Sequence, residues 1–355
     1  MFDVAVIGAG MAGLSCAQRL RQAGYSVAVV EKSRGAGGRV ATRRVQGTRA
    51  DHGARYLEPQ GDAVQGLIEV LVDRHILKLW TDTVWEFRQG KLSAIPRCCY
   101  VAPAGMNAIG KYLAQDLEIW FGRRVQAIST TDNQRWRLSL EVTDSNLEIP
   151  QELIAKAVVV AIPAPQALMF LSSEIGFKSD FLDKLRSVEY EPCITVMAGY
   201  PAAKQQDLSN LNLQWKSVSF PDNSDLAWVG LDSSKRLDPR LPVFVVHSSA
   251  NFADRHLESA DLPTVGQELL DRTSEYLIPW LKQPEWLQVH RWRYAFCRNP
   301  LPVSCLVADG NLPLVCAGDL CGEGQIEGAL RSGWAAANWV NSQLQDLPLD
   351  SSLNW

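Results

Sequence analysis

The sequence lacks the features that would connect it with metals, membranes or nucleic acids. Its eight cysteines form no CxxC pair, and no cysteine–histidine cluster has zinc-ligand spacing, so we predict no metal site. No apolar run reaches the roughly 18 residues needed to span a bilayer, so we expect no membrane contact. The net charge of −4 argues against a nucleic-acid partner, because nucleic-acid-binding surfaces are basic. The cysteines are Cys16, Cys98, Cys99, Cys193, Cys297, Cys305, Cys316 and Cys321.

The length and composition are those of an ordinary globular protein with more than one core. Hydrophobic residues make up 46% of the 355 residues and charged residues 21%, which is typical of soluble domains. A chain of this length predicts two domains. The first predicted strand begins at Phe2 and leaves no room for a targeting peptide, so we expect a cytoplasmic protein with reduced cysteines.

A glycine-rich turn near the start organises the rest of the chain. Phe2–Ile7 is a short apolar run, typical of a buried parallel strand, and it leads into Gly8-Ala9-Gly10-Met11-Ala12-Gly13. A helix through Leu20, a stop at Gly24 and a second strand ending on Glu31 follow. Strand, glycine turn, helix, strand and acid in this order indicate a dinucleotide-binding βαβ unit.

Each part of this unit has a physical role in binding a dinucleotide. Gly8 permits the tight turn, Gly10 lets the backbone approach a pyrophosphate, and Gly13 lets the helix pack closely on the sheet. The N–H groups at the helix start favour an anion, and Glu31 would bind both ribose hydroxyls of an adenosine. The alternative is a glycine-rich turn in an ordinary α/β domain. The predicted cofactor-binding residues here are Gly8, Gly10, Met11, Ala12, Gly13, Glu31 and Lys32.

Two further segments are suited to close contact with the same ligand. Lys32–Arg43 contains three glycines, which let a loop lie against a ligand, and three arginines, which are planar phosphate donors. A basic surface loop is the alternative, but the position directly after the dinucleotide unit favours binding. In Asp51–Tyr56, small residues flanked by polar ones indicate a close backbone approach.

These segments together resemble the amine-oxidase-type FAD proteins, and within that superfamily they most resemble renalase and its bacterial relatives. The resemblance rests on GxGxxG, Glu31, GGRxxTR and Asp-x-Gly-Ala-x-Tyr, and it runs along nearly the whole chain. It implies an α/β Rossmann-type FAD-binding domain and a discontinuous α+β substrate domain, as in p-hydroxybenzoate hydroxylase and the amine oxidases. Some relatives attach FAD to a cysteine, but none of Cys297, Cys305, Cys316 and Cys321 stands in a recognised attachment sequence, so we expect non-covalent FAD. The implied FAD-binding segments are 1–59, 101–166 and 295–345, the substrate-domain segments are 60–100 and 167–294, and the C-terminal tail is 346–355.

The resemblance also implies which later residues contact FAD. The Gly38–Arg39 loop would cover the ribityl chain and flavin, and a strand formed by Asp51–Tyr56 would pass close to the flavin ring. Val125 would offer its backbone to the adenine edge. Asp319 would accept the ribityl hydroxyls, and the start of the last helix would face the flavin N1–C2=O edge. The residues implied are Gly38, Arg39, Gly53, Ala54, Tyr56, Val125, Gly318, Asp319, Gln325 and Ile326.

Other local patterns predict individual elements. Val64–Leu79 has helical spacing, and a hairpin is expected around Gln89-Gly90. Arg135–Val142 and Leu147–Lys156 predict an alternating hairpin, and the apolar run Ala157–Pro163 predicts a separate strand that closes the FAD sheet.

The strand Val289–Tyr294 offers two alternative faces to a substrate. His290, Trp292 and Tyr294 share one face because side chains alternate along a strand, while Arg291 and Arg293 share the other. We favour the aromatic face towards the flavin, since rings with polar tips suit a half-wet cavity.

The predicted catalytic residues are mostly rings. His247 could instead be a hydrogen-bonded core histidine, Trp292 could simply pack the sheet, and Arg291 could pair with a surface acid. The candidates are Trp228, His247, Arg291, Trp292 and Tyr294.

The leading functional prediction is an FAD-dependent oxidase that takes a hydride from a reduced nicotinamide dinucleotide in a non-standard isomeric form, with O2 reoxidation giving H2O2. Such a transfer needs the donor carbon held in position and water excluded, and it needs no strong base. The alternatives are a flavin amine oxidase and a non-catalytic FAD-binding redox module. The expected partners are a small-molecule substrate and O2, with the protein a monomer or homodimer. Phe296-Cys297 departs from the renalase-like pattern, which leaves the substrate preference open.

Overall fold

A computed structural model describes residues 1–142, 151–211 and 213–349 of the chain. Within these residues the strands form two large sheets and one small hairpin. The strands are β1 (Phe2–Ile7), β2 (Val27–Glu31), β3 (Thr42–Val45), β4 (Thr48–Asp51), β5 (Lys78–Arg88), β6 (Lys91–Val101), β7 (Glu118–Phe121), β8 (Arg123–Thr130), β9 (Trp136–Val142), β10 (Glu152–Val160), β11 (Tyr190–Gly199), β12 (Ser217–Ser219), β13 (Leu226–Leu231), β14 (Val243–Ser248), β15 (Trp286–Cys297), β16 (Leu306–Val307) and β17 (Leu314–Cys316).

The helices lie between the strands along the chain and pack on both large sheets. The hairpin predicted around Gln89-Gly90 is present between β5 and β6. The helices are α1 (Met11–Gln22), α2 (Asp62–Asp73), α3 (Asn107–Leu113), α4 (Ala164–Ala167), α5 (Ser179–Arg186), α6 (Lys204–Asn210), α7 (Ala250–His256), α8 (Leu262–Tyr276) and α9 (Gln325–Gln343).

The first sheet is built of parallel strands around β1. β1 pairs in parallel with β10 and with β2, and the parallel order β17-β10-β1-β2-β7 continues on both sides. Helices α1 and α9 pack against each other so closely that a Cβ on Gly333 would lie 2.4 Å from the Ala12 carbonyl oxygen. The predicted Rossmann-type α/β fold is confirmed, and the chain returns to it at β17.

The second sheet has seven strands in the order β15-β11-β14-β13-β12-β5-β6. Its two faces pack against different parts of the protein. Phe244 and Val246 of β14 belong to a core that includes Phe252 of α7. Val243 and Val245 belong to a core that they share with β1 and α1. We call the first sheet and the helices packed on it the first unit. Since side chains alternate along a strand, His247 lies on the face that meets the first unit.

The segment Asp51–Tyr56 is not the strand that was expected. β4 ends at Asp51, and the chain then forms a loop. The reason is that the loop bonds back to the preceding loop: the Gly53 N–H donates to the Ala41 carbonyl and the Ala54 N–H to the Arg39 carbonyl.

The helix predicted over Val64–Leu79 is shorter than expected. It ends at Asp73 as α2, and His75 then adopts a left-handed conformation with φ of +56°. A residue in this conformation commonly ends a helix. The chain turns there, and β5 begins at Lys78.

The predicted hairpin arm and the predicted closing strand form one element. β10 covers Glu152–Val160, pairing with β9 at its start and with β1 over most of its length. The expectation that Ala157–Pro163 is a separate strand was therefore wrong, because one long strand can serve both pairings. The first residues of Leu147–Lys156 lie outside the described residues.

The division into two domains stays a proposal. β5 and β6 belong to the second sheet, but α2, from the same predicted segment 60–100, packs against α9 of the first unit. Most of the predicted tail 346–355 lies outside the described residues. Within the described residues, no helix is both long and apolar enough to cross a bilayer.

Candidate active site

The glycine turn after β1 has the geometry of an anion-binding site. A Cβ on Gly13 would lie 2.0 Å from the Gly8 carbonyl oxygen, so α1 packs on the turn more closely than any side chain permits. A Cβ on Gly10 would meet nothing within 4 Å, which leaves open space beside the start of α1. No side chain caps this helix, and its first turn contains no acidic residue. Its first N–H groups, including those of Met11 and Ala12, are therefore free to face a phosphate.

Glu31 is held where the sequence predicted a ribose ligand. It is 7% exposed; one carboxylate oxygen accepts a hydrogen bond from the Ala9 N–H and the other from the Ser33 N–H, both at 2.8 Å. Each oxygen keeps a second lone pair for a hydroxyl. The Lys32 ammonium lies 3.4 Å from the Gln166 side-chain oxygen. Glu31 thus joins the glycine turn to the loop that follows β2.

The glycine–arginine loop lies directly on the first turn. The Gly37 N–H donates to the Ala9 carbonyl at 2.7 Å, and a Cβ on Gly38 would lie 3.2 Å from the Gly10 Cα. Arg39 forms a bidentate pair with Asp319, with N···O distances of 2.6 and 2.7 Å. Asp319 was expected to accept ribityl hydroxyls; both of its oxygens accept Arg39 N–H groups, so further bonds would use their remaining lone pairs.

Gly53 is required by a contact within the protein. A Cβ on Gly53 would lie 1.9 Å from the Arg39 carbonyl oxygen. The close backbone approach predicted from sequence is therefore made to the Arg39 loop. Ala54 and Tyr56 are half-buried, and the Tyr56 ring lies 6.1 Å from the Trp80 ring. Burial raises the pKa of Tyr56 to about 12.

The other predicted cofactor contacts lie at the edges of the same sheet. α9 begins at Gln325 without a side-chain cap, so the N–H groups of Gln325 and Ile326 are free to face a ligand. Gly318 follows β17, with φ of +148°. Val125 is buried in β8 beside a bulge, and β8 contacts β2, the strand that ends at Glu31. The open space at Gly10, the two uncapped helix starts and the buried acid together fit a bound dinucleotide.

We call the surface formed by the glycine turn, Glu31 and the start of α9 the cradle. A cluster of rings faces the cradle from the second sheet. The Trp292 indole N–H donates to the His52 carbonyl at 2.8 Å, and the two rings stack 5.5 Å apart. The His290 ring lies 4.3 Å from Trp292 and 4.7 Å from His52. Burial lowers the pKa of His52 to about 3 and that of His290 to about 4, with the Arg43 charge adding to both shifts. Both imidazoles are therefore neutral at physiological pH.

His247, Trp228 and Arg55 lie deeper than these rings. Together with His52, His290 and Trp292 they form a surface that we call the wall. The Arg55 Nε–H donates to His247 Nδ1 at 3.2 Å, and the guanidinium carbon lies 5.3 Å from the Trp228 ring. Burial, together with the Arg55 charge, lowers the pKa of His247. Because Nδ1 accepts, we assign the proton of the neutral ring to Nε2. His247 Nε2 and Trp228 Nε1 are both buried, and neither has a hydrogen-bond acceptor within the described residues.

Arg55 was missed by the sequence analysis, although both of its neighbours were named. The available signal was a single cation inside a segment of small and aromatic residues. Burial lowers the pKa of Arg55. No carboxylate of the described residues lies within the 4.0 Å ion-pair distance of its guanidinium. Nearby Glu58 pairs instead with Arg97 at 3.3 Å.

A second buried group of charges joins the two units. Lys235 lies 2.8 Å from Asp232 and 3.4 Å from Asp51, and Arg236 lies 2.9 Å from Asp51. Burial alone would raise the pKa of Asp51, but Lys235, Arg236 and the Thr42 hydroxyl bond lower it overall. Two carboxylates balance two cations, so this cluster is neutral as a whole.

Arg291 does not belong to the site. Its guanidinium donates to the Leu257 and Ser259 carbonyls, and Arg293 pairs with Glu258, so both arginines lie on the helix-covered face of the sheet. β15 keeps its alternation at Arg291, so this candidate lies on the face opposite the rings of His290 and Trp292. The Tyr294 ring packs 5.7 Å from Tyr190, and its carbonyl lies 3.4 Å from Arg39.

Comparison with known proteins identifies the family. Residues 6–71 match the model of an NAD(P)-binding Rossmann-like domain, and residues 70–341 match that of flavin containing amine oxidoreductases. The chain belongs to the flavin-containing amine oxidoreductase family. The family's flavin agrees with the dinucleotide cradle, and the cofactor is FAD.

Individual relatives match parts of this family member. AofH of Mycobacterium tuberculosis, named as a flavin-containing monoamine oxidase, is 46% identical over 65 residues, which are 18% of this chain and 14% of AofH. Putrescine oxidase of Kocuria rosea is 32% identical over 103 residues, 29% of this chain and 19% of that one. The chain thus covers less than a fifth of each curated relative's length.

Solved structures show the same fold over the whole chain. A putrescine oxidase structure with bound putrescine superposes with a TM-score of 0.70 at 15% identity, covering 96% of this chain and 99% of that one. Cyclohexylamine oxidase from Brevibacterium oxydans gives 0.69 at 14% identity, covering 97% and 99%. At such identities the likeness concerns the fold alone.

Proposed function

We propose that the protein is a renalase-like FAD-dependent oxidase of a reduced nicotinamide dinucleotide in a non-standard dihydro isomer. FAD, when bound, supplies the hydride acceptor and the route of two electrons to O2. The balanced reaction is NAD(P)H + H⁺ + O2 → NAD(P)⁺ + H2O2. The protein's part is to hold a flat ring against the flavin and to exclude water.

The observation that carries the proposal is the charge of the ring-lined wall. Its three imidazoles, from His52, His247 and His290, are neutral, and its cation Arg55 has no carboxylate partner among the described residues. The acids described nearby are all engaged in ion pairs. An ammonium substrate would therefore find a cation and no free counter-charge, whereas a neutral ring on an anionic dinucleotide would be attracted. The paired acids are Asp51, Asp232 and Glu58.

A basic hairpin beside the wall supports a dinucleotide further. β3 and β4 carry the exposed residues Arg43, Arg44 and Arg49, and the ion pairs of the described residues include none of them. Arg44 lies directly opposite Arg49, where like charges repel unless an anion lies between them. The Arg43 charge lowers the pKa values of His52 and His290, so this hairpin borders the wall. Substrate phosphates would fit there.

Within the site we assign the chain's residues distinct tasks. Trp292 and His290 offer half-buried rings to stack on the nicotinamide, and His52 fixes Trp292 through its carbonyl. Trp228 and His247 form the buried floor under Arg55. Tyr294, beside the Arg39–Asp319 pair, closes the end nearest the predicted ribityl position.

Anaerobic reduction of the flavin tests the proposal. Isomerised NAD(P)H preparations should bleach the flavin, and readmitted air should yield one H2O2 per substrate. Trp292→Ala should slow bleaching or weaken substrate binding at unchanged FAD content, while Arg291→Ala, on the opposite face, should behave like the parent. Bleaching by neither standard nor isomerised NAD(P)H would reject the proposal.

A flavin amine oxidase is the second candidate, favoured by the family and by the names of the relatives. In that case a neutral amine would bind between Trp228 and Trp292, with a neutral imidazole as proton acceptor. Oxygen uptake with putrescine, cyclohexylamine and other amines would identify it. FAD-loaded protein that is reduced by no substrate of either class would favour the third alternative, a non-catalytic redox module.

We further propose that FAD is held non-covalently. Burial raises the pKa of Cys297 to about 11 and raises those of Cys305 and Cys316, so these thiols are protonated and poorly nucleophilic at neutral pH. Acid precipitation should leave the flavin in solution, and flavin retained in the pellet would contradict the proposal.

A further inference from the structure

In the cluster of Arg55, His247 and Trp228, His247 Nδ1 accepts from the Arg55 Nε–H, and the other donors have no acceptor among the described residues. We infer that this cluster is a subsite for an acyl oxygen on the substrate ring, and that it binds a ring carboxylate more tightly than a carboxamide. The inference deepens the proposed function, on which it rests for the class of ring: the preferred substrate would be a dihydropyridine that carries a carboxylate.

The first argument is the unbalanced charge of Arg55. Arg55 is half-buried, and a cation that is partly withdrawn from water is normally placed beside a carboxylate. Lys235 and Arg236 follow this rule in the neighbouring cluster, with Asp51 and Asp232 as partners. Arg55 has a histidine nitrogen and an indole face as its described partners, and neither carries negative charge.

The second argument is the direction left open to the guanidinium. Its Nε–H is used by His247, and Trp228 supports the planar group from one side at 5.3 Å. The two terminal amino groups make no hydrogen bond to any described residue. Two parallel N–H donors held in one plane match the two oxygens of a carboxylate.

The third argument concerns the two ring nitrogens beside the guanidinium. With Nδ1 of His247 occupied, its Nε2–H remains a donor, and the Trp228 indole is a donor only. Both nitrogens lack acceptors within the described part of the chain. These two nitrogens are buried under the guanidinium, so the terminal amino groups of the half-buried Arg55 are the donors that a ligand can reach. A ligand rich in acceptors, and not an ammonium, satisfies such a cluster.

The test compares two ligands that differ only in this group. FAD-loaded protein is titrated with nicotinate and with nicotinamide, following the flavin absorbance and the melting temperature. Nicotinate should bind about tenfold more tightly or better, since a charge-assisted bidentate bond exceeds a neutral one by more than about 1.4 kcal/mol. Equal affinities, or binding of neither ligand, would overturn the inference.

Three variants locate the effect. Arg55→Gln should remove the preference for nicotinate at unchanged FAD content, and Arg55→Lys should retain part of it. Arg291→Gln, which removes a guanidinium from the opposite face, should keep the parental preference. If Arg55→Gln keeps the preference, or loses FAD instead, Arg55 is not the substrate's carboxylate ligand.

The peroxide assay separates this inference from the proposed function. A nicotinate preference that depends on Arg55, without oxidation of NAD(P)H isomers, would support the subsite and reject the proposed oxidase. Oxidation of those isomers without a nicotinate preference would support the oxidase and reject the subsite.

Discussion

The two sides of the candidate site differ in how their buried polar groups are satisfied. On the cradle side, Glu31 accepts two backbone N–H groups and Asp319 accepts two guanidinium N–H groups. On the side of the second sheet, His247 Nε2 and Trp228 Nε1 have no acceptor among the described residues, and the half-buried Arg55 guanidinium bonds only through Nε, to His247 Nδ1.

This difference separates two ways of building a binding surface. The cradle is organised by the protein itself, so a cofactor binds to groups already in position and costs little reorganisation. The wall is left incomplete, and a ligand would supply the missing acceptors. A buried polar group without a hydrogen-bond partner destabilises the folded protein. The wall therefore lowers the stability of the protein and leaves groups that a ligand can bind.

The largest expected effect is a loss of free energy of unfolding. It should appear when Lys235, which has carboxylate partners, is replaced, and not when Arg55, which has none, is replaced. Lys235→Met should lower the free energy of unfolding by about 3–5 kcal/mol, because it removes one cation from a buried neutral cluster and leaves excess negative charge. Arg55→Met should change it by less than about 1.5 kcal/mol, the range of one hydrogen bond. Denaturation in urea measures both. Equal losses would mean that Arg55 is as fully compensated as Lys235, and the comparison would fail.

The cradle's own groups give the next effect. Glu31→Ala removes a carboxylate that bonds Ala9 and Ser33 and, we predict, the adenosine ribose. FAD affinity should fall by roughly 1.5–3 kcal/mol, or about tenfold to 150-fold. Glu69→Ala, on the exposed side of α2, is the control and should retain FAD as the parent does. Unchanged flavin retention on dilution of Glu31→Ala would exclude Glu31 as the ribose ligand.

Gly10→Ala should affect the cofactor and leave the fold intact. Because a Cβ there would meet no protein atom within 4 Å, the stability of the FAD-free variant should stay within about 0.5 kcal/mol of the parent. FAD should bind about tenfold more weakly, since the methyl group would occupy the space beside the pyrophosphate. In Gly13→Ala the Cβ would lie 2.0 Å from the Gly8 carbonyl oxygen, so that variant should lose stability instead. Normal FAD binding by Gly10→Ala would place the pyrophosphate elsewhere.

The cradle could be predicted because its geometry is local. Gly8, Gly10, Gly13 and Glu31 lie within 31 residues, and the strand, turn and helix between them fix their relative positions. The alternation along β15 was equally local, and it correctly separated Arg291 from His290.

The polar contacts of the wall could not be predicted in this way, although its rings Trp228, His247 and Trp292 were candidates from the sequence. Arg55 and His247 are 192 residues apart in sequence, and Lys235 and Asp51 are 184 apart. Which cation finds an acid and which does not depends on how the two units dock, and no spacing in the sequence records this. Gly53 shows the same limit: its small size was recognised, but the Arg39 carbonyl that requires it could not be.

The smallest expected effect is a pH dependence confined to the wall. The pKa of His290 is lowered to about 4, whereas an unfolded histidine titrates near 6.5. Between pH 4 and pH 6.5 the unfolded state binds more protons than the folded state. His290 therefore leaves the free energy of unfolding unchanged above about pH 6.5 and lowers it as the pH falls towards 4. His52 and His247 act in the same direction, and the Arg43 charge near His290 and His52 reinforces it. Carboxylates such as Asp51, whose pKa is lowered, lose their contribution only below about pH 4.

The variant His290→Gln measures how much the His290 ring contributes to this pH dependence of stability. Its melting temperature should fall less steeply than the parent's between pH 6.5 and 4.5, with the two curves converging within a few degrees and running parallel above pH 7. Parallel curves for His290→Gln and the parent throughout would show that His290 is protonated as readily in the folded protein as in the unfolded chain, and the neutral wall on which the substrate proposal depends would then be wrong.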